Sequence, residues 1–110
     1  MSYYFFNKCR KDCLPELEIL ADELKLREMK CRDSVRQWDG YPFKRKEKFD
    51  RNLLVIYALK RDYPFMLQTS EPVSHKQTDV KKVVQRFIKI CKPTQIYDFG
   101  DIPYDMGEFK

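Results

Sequence analysis

A chain of 110 residues with 43% hydrophobic and 35% charged side chains holds material for one domain spanning residues 1–110, not for a second core. Eight Phe and seven Tyr against three Gly exclude wholesale disorder, because aromatic burial can offset chain entropy. The net charge of +5 and a pI of about 9.0 suit an anionic partner, while no run approaches the roughly 18 apolar residues of a membrane-spanning helix.

The start, MSYYFFNKCRKD, lacks the basic-then-apolar order of a secretory signal, so the expectation is an intracellular protein, cytoplasmic or nuclear, whose four cysteines are free thiols. Residues 1–13 read as an aromatic arm. Tyr3, Tyr4, Phe5 and Phe6 are costly to leave in water, and they dock either on the domain as a strand or on a partner as exposed anchors.

Pro15 suits the first turn of a helix, with Asp12 close enough to cap it. Leu17, Leu20, Ala21, Leu24, Cys31, Val35 and Trp38 form one apolar stripe, interrupted by Arg27 and Glu28, so the spacing predicts a long helix from about Leu14 to Trp38. Trp38-Asp39-Gly40-Tyr41-Pro42 then reads as a reversal, since Asp-Gly tolerates positive φ and Pro42 pushes Tyr41 into extended geometry. The following FKRKEKFDRN reads as solvated charge beside packed Phe.

Leu53 to Leu59 is an apolar run whose length and whose Val55, Ile56 and Tyr57 favour a strand. KRDYP turns it into Phe65 to Thr69, giving a hairpin at about 53 to 69; a helix from Arg45 to Asp62 is the alternative. Ser70 to Gln77 is a polar connection. From Thr78 to Lys92, Val80, Val83, Val84, Phe87, Ile88, Ile90 and Cys91 fall within an arc of roughly 160° at about 100° per residue. Thr78 or Asp79 can cap this amphipathic helix, and Pro93 stops it. Gln95 to Phe99 alternates as a last strand ended by Gly100, and residues 100–110 read as an extended acidic tail. The expected fold is therefore α+β: a long N-terminal helix, a β-hairpin, an amphipathic helix and a final strand in a small antiparallel sheet, with a mainly α domain as the alternative.

No catalytic, cofactor or metal site is expected. Cys9 and Cys13 with Cys31, Cys91 and His75 could supply tetrahedral zinc ligands, but structural sites use paired short knuckles and only one pair exists here. Gly40, Gly100 and Gly107 are too dispersed for a phosphate loop, and a single histidine leaves no legible nucleophile–base pair. Lys81, Lys82, Arg86 and Lys89 form a basic ridge that Lys44, Arg45, Lys46 and Lys48 could extend toward phosphates. The surplus of exposed-end aromatics predicts a non-catalytic accessory subunit or adaptor with a protein partner, anchored by Tyr3, Tyr4, Phe5, Phe6, Tyr104, Met106 and Phe109. A small basic nucleic-acid-binding protein is the alternative. The tail has two possible uses: docking a partner, which would let residues 100–110 be removed without unfolding the domain, or covering the protein's own ridge.

Overall fold

The computed structural model describes residues 2–30, 36–42, 53–59, 64–69 and 78–110. Among these, β1 (Ser2–Asn7), α1 (Leu14–Glu23), β2 (Arg27–Met29), β3 (Arg36–Gly40), β4 (Leu54–Ala58), β5 (Phe65–Thr69), α2 (Thr78–Cys91), β6 (Gln95–Asp98) and β7 (Ile102–Pro103) precede a 3-10 turn at Met106–Phe109. The strands join in one seven-stranded sheet of order β2-β3-β4-β5-β1-β6-β7, with every neighbouring pair antiparallel. β5 and β6, linked through α2, are separated by β1, which is a split β-α-β arrangement. β2 and β3 widen the sheet beyond β4, and β7 widens it beyond β6.

The expected fold is corrected at its first element, and the mainly α alternative fails with it. The long N-terminal helix does not exist: α1 stops at Glu23 and residues 36–40 are a strand. The cause is a Schellman cap, in which the Lys25 N–H donates to the Asp22 carbonyl at 3.0 Å and the Leu26 N–H to the Ala21 carbonyl at 2.9 Å. Lys25 takes the left-handed φ of 56° that glycine usually supplies, so the sequence carries no visible stop. Leu26 turns into the core at the cap. The reversal expected at Trp38 to Pro42 is also corrected: β3 runs through Trp38 and Gly40, paired with Ile56 and Leu54. Gly40 fits closely there, since a Cβ would stand 2.9 Å from Leu26 Cδ2 and would displace that side chain.

Of residues 1–13, the aromatic stretch takes the docked reading as a strand rather than the exposed one. β1 is an interior strand, with Ser2 to Phe6 against Thr69 to Phe65 on one side and Phe5 to Asn7 against Tyr97 to Gln95 on the other. Period-two alternation sends Tyr4 and Phe6 to one face of the sheet with Leu54, Ile56, Leu67 and Ile96, all 0% exposed. Both helices cover this face: Leu17 and Leu20 of α1 and Val80, Val84 and Phe87 of α2 complete a single core, in which Phe87 stacks on Phe6 at 4.9 Å between ring centroids. α2 occupies the stretch expected to be amphipathic. Arg36 ties the added strands to this body, pairing with Glu18 of α1 and Glu28 of β2 and lying 4.6 Å over the Trp38 ring.

The tail is packed rather than extended. Tyr104 stacks on Tyr4 at 5.3 Å, its hydroxyl donates to the Tyr3 carbonyl at 2.9 Å, and Phe109 is 3% exposed. Asp105 caps the 3-10 turn by accepting from the Gly107 N–H at 2.9 Å, and Gln85 of α2 donates to the Phe109 carbonyl at 2.9 Å.

Candidate interaction surface

The face of the sheet opposite the helices carries the other half of the alternation. Tyr3 and Phe5 of β1, Tyr57 of β4, Met66 of β5 and Tyr97 of β6 are half-buried there. The Tyr57 hydroxyl donates to Gln68 across the β4–β5 pair at 3.1 Å, and burial raises its phenol above the ordinary range. Tyr3 stacks on Phe5 at 6.3 Å and meets Phe99 at 5.6 Å, so an aromatic row runs from the sheet onto the turn between β6 and β7.

That turn is built by its sequence. Gly100 and Asp101 both take left-handed backbone, at φ 82° and 62°, a conformation that Gly accepts freely and Asp more readily than most residues. Asp98 Oδ1 accepts from the Phe99 N–H at 2.7 Å and fixes the entry to the turn. Gln95 supports it from below, its amide donating to the Tyr104 carbonyl at 2.7 Å and to the Ile96 carbonyl at 2.9 Å. With the backbone so constrained, Phe99 is left 70% exposed and Ile102 62% exposed, flanked by Asp98 and Asp101. Burial, with Asp98 close by, raises the Tyr104 phenol well above its usual range.

The expected anchors therefore divide. Tyr4, Phe6 and Phe109 belong to the core and are unavailable to a partner in the folded state; Tyr104 and Met106 are half-buried against that core. Tyr3 and Phe5 remain on the open face. Phe99, read from sequence only as a strand residue, is the exposed member of the row, and its signal was the Gly-Asp pair that follows it.

The basic ridge lies elsewhere. Lys82, Arg86 and Lys89 are exposed and Lys81 half-buried on the outward side of α2, whereas the aromatic row is on the other side of the sheet. Arg86 pairs with Glu23 of α1, a partner sequence reading missed, and this hydrogen bond lowers the Glu23 carboxyl below its ordinary range and raises Arg86. Lys44, Arg45, Lys46 and Lys48, like Cys31, His75 and the segments 60–63 and 70–77, lie outside the described residues. Among the described residues no group of His, Cys, Asp and Glu is arranged to hold a metal ion, and no helix is long and apolar enough to cross a membrane. Compared with protein-family models, curated proteins and solved structures, the chain matches none of them significantly.

Proposed function

We propose that this protein is a non-catalytic adaptor or accessory subunit that docks a basic segment of a partner protein onto the β6–β7 turn. The observation that carries the reading is the exposure of Phe99 and Ile102, the two most exposed large apolar side chains among the described residues, on one backbone-constrained turn. Asp98 and Asp101 beside them supply negative potential to a protein whose total charge is +5, which selects an occupant with Lys or Arg next to its apolar groups. Tyr3 extends the contact onto the sheet through its packing with Phe99. A nucleic acid is the less suitable occupant here, since carboxylates flank the aromatic groups and the α2 ridge faces away from them.

The test places a photo-crosslinking amino acid at position 102 of the full chain and maps the crosslinked peptides of captured proteins. The expected result is a recurring Lys/Arg-rich segment of one partner, lost in Phe99→Ser at unchanged melting temperature and weakened by added salt. Crosslinks that are unaffected by Phe99→Ser, or that fall on segments without basic excess, overturn the reading. Retention on polynucleotides that disappears on Lys82→Glu and Lys89→Glu instead transfers the function to the ridge.

A further inference from the structure

Cys9 and Cys13, four residues apart, meet the distant Cys91 at one end of the fold. Cys9 follows β1, Cys13 immediately precedes α1, and Cys91 ends α2. The chain is stitched together at this point: the Arg10 N–H donates to the Cys91 carbonyl at 2.7 Å, and Arg10 Nε donates to the Ile90 carbonyl at 2.6 Å. Glu16 holds the guanidinium from α1. Cys9 is thereby fixed one residue from a backbone bond to Cys91, and its side chain packs against the buried cluster that contains Cys13 and Cys91.

The three thiols differ in access. Cys91 is 0% exposed and Cys13 2%, whereas Cys9 is half-buried and its Sγ lies 3.5 Å from the Phe6 carbonyl, to which the protonated thiol donates. A lone buried cysteine is adequately explained as a small hydrophobe. Two thiols held beside one another at a backbone junction, one partly exposed and the other shielded, can act instead as a reactive thiol with a resolving thiol behind it.

We propose that Cys9 and Cys91 form an oxidant-reactive pair, in which Cys9 reduces a small hydroperoxide and Cys91 resolves the product as an intramolecular disulfide. The Cys9 thiolate attacks the peroxide, the O–O bond breaks, and the leaving oxygen departs as water or an alcohol once protonated. Cys9 is then a sulfenic acid. The Cys91 sulfur attacks the Cys9 sulfur, the S–O bond breaks, and the hydroxide leaves as water with the Cys91 proton. Two thiols have given up two electrons and two protons, and the peroxide has accepted both.

The electrostatics assign the roles in the same direction. Donation from Cys91 lowers the Cys9 thiol below its usual range against the effect of burial, while the bond to Cys9 and then burial push Cys91 up. Burial likewise raises Cys13, which feels Cys9 only through charge. Cys91 is therefore the resolving thiol, and Cys13 is the neighbour that does not react first.

The experiment treats the reduced full chain with hydrogen peroxide, blocks remaining thiols by alkylation and maps peptides without reduction. The expected first product is a Cys9–Cys91 linkage. It needs no variant, so a substitution that fails to fold cannot obscure it. In Cys91→Ala, Cys9 is expected to accumulate as a sulfenic acid trapped by dimedone, and in Cys9→Ser the linkage is lost. A first disulfide through Cys13 or Cys31, or Cys9 reacting no faster in the folded chain than in urea, overturns the proposal.

Discussion

Adjacent residues of β1 provide a sharp test of the architecture, because Phe5 and Phe6 differ only in the face of the sheet they occupy. Phe6 is 0% exposed and stacked on Phe87 at 4.9 Å with 24° between ring planes. Phe6→Ala removes a whole ring from a closed core, which costs about 3 to 5 kcal/mol. Phe5 faces the half-open side, and Phe5→Ala costs about 1 to 2 kcal/mol. Against a total of about 5 to 15 kcal/mol for a domain of this kind, the first change lowers the melting temperature by on the order of 20 °C and the second by roughly two to three times less. Phe87→Ala matches Phe6→Ala. Part of each loss is the same ring–ring contact, so the double variant falls short of the sum by about 1 kcal/mol. Urea unfolding followed by far-UV circular dichroism and by the fluorescence of the buried Trp38 measures all four proteins. Equal losses from Phe5→Ala and Phe6→Ala, or strict additivity of Phe6→Ala with Phe87→Ala, would refute the assignment of faces.

Gly40→Ala is expected to cost about 1 kcal/mol by denaturant titration, because its backbone tolerates a side chain while the buried Leu26 must move to admit one. For Glu23, whose folded-state carboxyl is lowered by Arg86, the favourable coupling is present above the unfolded carboxyl range and lost as pH falls through the lowered folded value; an NMR titration of Arg86→Ala should return it to the ordinary range. Truncation after Pro103 removes Tyr104 and Phe109 from the rings around Tyr4, and the melting temperature should drop by on the order of 10 °C or more rather than stay constant.

What could be read from the sequence was whatever had a period long enough to repeat. α2 shows four turns of an apolar stripe, so its inward residues and its end before Pro93 were legible. β4 and β5 were legible as apolar runs about a short connection. The helix-to-strand change after Glu23 was not, because a lysine fills the position at which glycine would have announced the cap. Beyond it, Trp38 happens to continue the α1 stripe while serving a strand. The continuous Tyr3-Tyr4-Phe5-Phe6 run conceals its alternation because both faces of an interior strand are apolar. Pairings such as Arg86 with Glu23 and the approach of the Cys9 segment to Cys91 depend on topology, which no local pattern encodes.

The same topology changes what the acidic end of the chain can do. An extended tail would have to be ordered as it bound, at a cost that offsets part of each contact. Here Tyr104 and Phe109 are already locked against Tyr4, and Gly100 and Asp101 already hold the turn, so Phe99 and Ile102 are displayed on a surface that loses little freedom on docking. Recognition and stability thus reside in different residues of one short segment. Deleting residues 100–110 would remove both together, and loss of a partner after that deletion would say nothing about docking. Phe99→Ser separates them: Phe99 packs on Tyr3 at the margin of the sheet and contributes little to the closed core, so a loss of capture without a change in melting temperature can arise only at the surface.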